Sequence, residues 1–213
     1  MVIEKAKRLA QDIEFSVKRR GLLQAPGAPH LDEETLAAYN RYIPDASYME
    51  FGAGGSTLIA AEKAKSGLVV ESDVIYLDLV KEAVGERPNF HFYHANIGPT
   101  GPWGRPLLAI GGRAPLSHNY FKKPWQLAAE LGHEPNFVFI DGRFRSACVF
   151  NTFVYAPEAT VLVDDFVGRE EYDVVLNFSE VVERPGKSIV LRRADDFDEE
   201  RWAPVIGHFP TYL

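Results

Sequence analysis

The chain has 213 residues, 46% of them hydrophobic and 25% charged, with 23 basic against 30 acidic side chains and a net charge of −7. That length and balance fit one well-packed domain and exclude a disordered chain. They also offer no general attraction to nucleic acid or to an anionic membrane, and no window supplies the ~20 apolar residues of a spanning helix.

The first segment, MVIEKAKRLAQDIEF, is charged where a secretory signal would be apolar. Ala6, Leu9, Ala10, Ile13 and Val17 recur at helical spacing and predict an amphipathic helix ending near Gly21. Lys5, Lys7, Arg8, Lys18, Arg19 and Arg20 make this segment locally basic, as a solvated helix face does. The single cysteine, Cys148, excludes an internal disulfide framework and fits a reducing, cytoplasmic setting.

Residues 24–29, QAPGAP, read as a linker. Asp32 then reads as an N-cap, with Glu33 and Glu34 in the first turn of a second helix that ends around Tyr42. From there strands and helices alternate. Strands are expected over 47–51, 67–71, 90–94, 136–140 and 159–164. Helices are expected over 56–65, 74–84, 125–131, 144–155 and, briefly, 170–176. This rhythm predicts a mostly parallel sheet with helices on both faces. Residues 179–184 and 188–193 alternate around Pro185-Gly186-Lys187, so an antiparallel hairpin closes the chain. Residues 97–122 are rich in Gly and Pro and read as a long irregular loop of the kind that serves as a lid. His118, Tyr120, Lys122 and Lys123 lie in or beside it, placed to close over a substrate, with Trp103 and Trp125 as packing anchors.

The informative motif is Tyr48-Met-Glu-Phe-Gly-Ala-Gly-Gly-Ser-Thr57, where the first strand of this series hands over to a helix. Gly52, Gly54 and Gly55 permit a tight turn and close approach of a ligand to the backbone, and a helix N-terminus adds free N–H groups. A dinucleotide fingerprint wants Gly or Ala where this chain has Thr57. Glu50, just before the turn, repels a pyrophosphate but suits a ligand bearing an ammonium. Glu71, at the end of the next strand, is placed to accept ribose hydroxyls.

These residues resemble the class I S-adenosylmethionine-dependent methyltransferases over residues 47–193, with Ser56 standing where the family has its last glycine. The resemblance implies a Rossmann-like α/β fold, with residues 1–44 as an N-terminal helical cap and 45–213 as one cofactor-binding unit. It implies that Glu50, Gly52, Gly54, Gly55 and Ser56 face the methionine part of S-adenosylmethionine. Glu71 would hold the ribose, and Asn96 would stand where an acidic residue reads the adenine amine. Asp141 ends one strand, and Asp164 and Asp165 another. Together they resemble the metal set of the catechol-type, cation-dependent O-methyltransferases, which implies Mg2+ or another divalent cation. The lysine base of that subgroup is replaced by Phe144.

Arg143 and Arg145 are candidates for gripping a carboxylate or phosphate of a substrate. Asp141 and His94 are the candidate catalytic groups. The favoured function is methyl transfer to an oxygen of a small, anionic molecule. The alternatives are a nucleoside-cofactor-binding module without methyl transfer, or another nucleoside-using transferase on the same fold.

Overall fold

A computed structural model describes residues 14, 18, 21–101, 104, 106 and 114–207. Of the first expected helix only Glu14, Lys18 and Gly21 are described, all of them helical, with Leu22 continuing the helix; an ion pair of 2.7 Å joins Glu14 and Lys18. The rest of that helix, and Trp103, lie outside the described residues.

Seven strands form one sheet. They are β1 (Ser47–Phe51), β2 (Ser66–Glu71), β3 (Phe90–His94), β4 (Phe137–Ile140), β5 (Thr160–Val163), β6 (Ser179–Glu183) and β7 (Ile189–Arg193). Their order across the sheet is β3-β2-β1-β4-β5-β7-β6. β7 runs antiparallel to both its neighbours, and the other pairs are parallel. The helices are α1 (Glu33–Tyr42), α2 (Gly55–Lys63), α3 (Val74–Val84), α4 (Ala114–Phe121), α5 (Lys123–Glu130), α6 (Arg145–Tyr155) and α7 (Glu199–Gly207), with a 3-10 helix at Glu170–Asn177.

Strand alternation sorts the core into two layers. Met49, Phe51, Val138, Ile140, Val161 and Val163 face α4, α5 and α6. Tyr48, Val69, Phe137, Phe139 and Leu162 face α1 and α2. FVFI and TVLV are buried at every position, as strands covered on both sides must be.

Asp32 caps α1 as expected, its carboxylate accepting from the Thr35 N–H at 2.9 Å. The helix is built into the core. Tyr39 is fully buried edge-on against Tyr48, Phe137 and Phe139, and its hydroxyl donates to the Ser56 carbonyl at 3.0 Å.

Two expectations need correction. Residues 97–122 are not irregular throughout, because α4 occupies Ala114–Phe121. Tyr120 and Phe121 are buried there against Phe144, and that tertiary packing outweighs a weak local helical signal. The chain also carries a C-terminal helix, α7, that its sequence does not announce, since Pro204 lies inside it. No helix among the described residues is long and apolar enough to cross a membrane.

Candidate functional site

The sheet reverses its winding direction between β1 and β4, and the crevice beyond the carboxyl ends of these strands is where open α/β sheets bind ligands. Two glycines set its floor. Gly52 has φ +104, and its N–H donates to Val70 O at 2.9 Å. A Cβ there would lie 2.6 Å from the Gly142 nitrogen. The Asp141 and Gly142 N–H groups both donate to Phe51 O, at 3.0 and 2.7 Å. The ends of β1 and β4 are thus held in backbone contact.

The glycines of the motif face different things. A Cβ on Gly54 would meet, among the described residues, only the Tyr76 hydroxyl at 3.9 Å. The α-carbon of Gly55 faces the linker instead. A Cβ there would lie 2.5 Å from Pro29 N, with Gly27 and Ala28 equally close. The linker read from QAPGAP therefore packs on the start of α2, and this contact accounts for Gly55 without a ligand.

Glu50 is on the α1/α2 face of β1, beneath the turn and fully buried. Ser56 Oγ donates to its Oε1 in a short hydrogen bond, and Thr57 Oγ1 donates to Oε2 at 2.6 Å. Thr57 Oγ1 in turn accepts from the Gly54 N–H at 3.0 Å. Both carboxylate oxygens serve the turn itself. Burial pushes the carboxyl up to about 8, against the lowering effect of the two hydroxyls.

Glu71 ends β2 beside the same turn. Its Oε2 accepts from the Ala53 N–H at 3.2 Å, while Oε1 accepts from the Ser72 and Asp73 N–H groups and from Ser72 Oγ. Among the described residues Oε2 has no other partner, which leaves it a lone pair for a ligand hydroxyl. Burial raises its pKa, opposed by these donors. Gly104 lies over this carboxylate, since a Cβ on it would meet Ser72 Oγ at 2.8 Å and Glu71 Oε1 at 3.6 Å. Asn96 is exposed one strand further on, its Oδ1 accepting from the Gly98 N–H at 3.0 Å.

Asp141 lies across the crevice at the end of β4, its side chain 38% exposed. Burial pushes its carboxyl up to about 7. The nearby Arg145 guanidinium opposes this, and Asp164, within hydrogen-bonding reach, adds to it. His94 is not brought to Asp141. It is exposed at the end of β3, which β2 and β1 separate from β4, and its Nε2 lies 3.3 Å from Ser72 O. At about 4.8 Å per strand that is roughly 14 Å.

Arg145 and the metal set also need correction. Arg145 is buried and turned inward, donating to Gly142 O from Nε at 3.1 Å and to Asp141 O and Oδ1 from Nη2 at 2.9 and 3.1 Å. Nη1 makes a short bond to Asp164 O. The guanidinium is committed to the ends of β4 and β5 and does not present itself to a substrate. Arg143 is half-buried next to Gly142, and its N–H donates to the Tyr120 hydroxyl at 3.3 Å.

The three aspartates do not assemble as a cation site, and no group of three metal-ligating side chains converges among the described residues. Asp165 has φ +52 and turns to Arg169 at 2.5 Å, while Asp164 Oδ1 accepts from Ser188 Oγ at 2.7 Å. The residues present do not fit the implied divalent ion.

Sequence reasoning misses Tyr76. It is half-buried at the start of α3, its hydroxyl under the influence of Glu71, Glu50 and Asp141 together. Its place in the first turn of the helix after a strand-end carboxylate is the available signal. Ser188 is missed as well, and nothing local marks it.

The order β3-β2-β1-β4-β5-β7-β6 with β7 alone antiparallel is that of the Rossmann-like methyltransferase fold. A methyltransferase-like protein from Silicibacter pomeroyi shares it with a TM-score of 0.76 at 24% identity, the match covering 88% of this chain and 99% of that one. A SAM-dependent methyltransferase from Anabaena variabilis matches with a TM-score of 0.52 at 8% identity, over 91% of this chain and 96% of that one. No family model and no curated protein matches the sequence.

Proposed function

We propose that the protein binds S-adenosylmethionine in the β1/β4 crevice and transfers its methyl group to an oxygen of a small molecule in the cytoplasm. The observation that carries this reading is the tie between the glycine turn and Glu71. The Ala53 N–H holds the Glu71 carboxylate beside the turn with Oε2 taken by no other described residue, the arrangement a ribose hydroxyl needs. When bound, S-adenosylmethionine supplies an electrophilic methyl on a sulfonium. The carboxylates of Glu71 and Asp141 and the Tyr76 ring give the crevice a negative character suited to a cationic ligand.

Asp141 is the proton acceptor. It stands across the crevice from Glu71, and burial together with Asp164 raises its carboxyl above the ordinary range, toward that of a hydroxyl-proton acceptor. As the carbon–oxygen bond forms and the carbon–sulfur bond breaks, Asp141 receives the hydroxyl proton. Gly54, whose α-carbon faces only the Tyr76 hydroxyl among the described residues, leaves room for acceptor and cofactor to meet in line, which is the main requirement of the displacement.

S-adenosylhomocysteine at ~100 times its Kd should raise the melting temperature by roughly 5–10 °C through preferential binding to the folded state. NAD should not. Glu71→Ala lowers the melting temperature of the free protein, because it also removes an acceptor from four donors. The informative quantity is the ligand-induced increment, which should fall to near zero. A full increment in the variant overturns the ribose assignment. No increment in the wild type at millimolar ligand overturns the cofactor.

A further inference from the structure

We propose that Arg145 is the resident cation of this site, a positioning residue that fills the place a divalent ion would take and holds Asp141 for the acceptor without metal. Holding Asp141 for an acceptor rests on the methyltransferase reading; the exclusion of the ion does not. Four oxygens from three residues surround one guanidinium: Asp141 O and Oδ1, Gly142 O and Asp164 O. A hard cation between β4 and β5 would draw on this same oxygen set.

The guanidinium is not a loose surface charge. Arg145 is 8% exposed, four hydrogen bonds fix its plane, and it lies 5.8 Å over the Tyr172 ring. The other carboxylates are engaged elsewhere, Asp164 Oδ1 by Ser188 and Asp165 by Arg169. Arg169 packs on the same Tyr172 ring at 5.7 Å, so a second positive charge stands behind the first. An incoming divalent ion would meet a fixed positive charge already bonded to its ligands, and it would find at most one free oxygen on each aspartate.

Mn2+ is the probe, read by the electron paramagnetic resonance signal of the free ion and by melting temperature. The wild type should show no saturable binding up to ~1 mM Mn2+, and neither Mg2+ nor EDTA should move its melting temperature. Arg145→Met removes the charge while keeping an unbranched side chain. It should gain one Mn2+ site with a Kd of order 0.1–1 mM, within the range of weak oxygen-ligand sites, and adding Asp141→Asn should abolish that site. Arg145→Lys keeps the charge and should stay metal-free, an outcome that loss of packing alone would not produce. Saturable Mn2+ binding by the wild type that Asp141→Asn abolishes overturns the proposal. So does a folded Arg145→Met protein that takes up no more Mn2+ than the wild type. If Arg145→Met does not fold, the wild type and its Asp141→Asn variant decide between a metal site and its absence, and Arg145→Gln takes the place of the Met variant.

Discussion

Raising the pH from 5 to 9 should lower the melting temperature of the ligand-free protein by roughly 10–20 °C, and Glu50→Gln should remove most of that slope. Glu50 titrates near 8 in the folded chain against an ordinary value of 4.5. A carboxyl raised on folding holds its proton where the unfolded chain has released it. Its contribution is therefore fully present below about 4.5, declines as pH rises, and is lost once pH passes about 8. The full span corresponds to roughly 5 kcal/mol.

Asp32 and Glu183, whose carboxyls are lowered, act below this window and with the opposite sign. Asp141 acts in the same direction as Glu50, so the comparison of wild type with variant isolates Glu50. The amide introduced by Glu50→Gln reproduces the protonated form, with one acceptor and one donor toward the Ser56 and Thr57 hydroxyls. Parallel melting curves for the two proteins across pH 5–9 would show that the carboxyl is not held neutral.

The second large effect is expected at the floor of the crevice. Gly52→Ala should cost about 3–5 kcal/mol and abolish the ligand-induced rise in melting temperature. Two causes act together. A φ of +104 strains any residue with a Cβ, and that Cβ would meet Gly142 nitrogen and α-carbon at 2.6 and 2.7 Å. These are backbone atoms at the join of β1 and β4, so relief requires the strands to part. Gly54→Ala is the matched control. Its backbone is extended, and its Cβ would have only the Tyr76 hydroxyl nearby among the described residues. That variant should melt within about 1 °C of the wild type yet bind S-adenosylhomocysteine more weakly, because the methyl enters the crevice. Equal melting temperatures for the two alanine variants would refute this division between structural and ligand-facing glycine.

The strands were legible because burial on both faces leaves a plain signature. FVFI and TVLV admit no polar residue beyond the first threonine, and the turn at Pro185-Gly186-Lys187 announces a hairpin. The strand-end carboxylates were legible as positions, since each follows an apolar run. Their orientation was not. Alternation places Glu50 on the Tyr48 side of β1, but only the arrival of Ser56 and Thr57 from α2 shows that both its oxygens are consumed. Likewise Asp141 and Arg145 stand four residues apart, a spacing that permits contact. Whether the arginine turns inward or out to a substrate depends on carbonyls of β4 and β5 that no local pattern displays. Helix α4 escaped notice because its packing partners Phe51 and Phe144 lie at distant points of the chain.

The docking of α1 on the β6–β7 turn bears on how the chain is completed at the ribosome. Thr35 Oγ1 meets Ser188 Oγ at 2.9 Å across 153 residues, Asp32 accepts from the Lys187 N–H, and Glu34 accepts from the Gly186 N–H. Ser188 continues to Asp164 at the mouth of the crevice. A helix made early therefore has its local Asp32–Thr35 cap but lacks these long-range partners until residue 188 has been synthesised. Closure of such long loops is slow relative to local helix formation. A nascent chain halted before residue 188 holds α1 without its final seat, leaving the Asp164 carboxyl without the hydroxyl that steadies it. The crevice and the seat of α1 on the β6–β7 turn thus mature in a single late event.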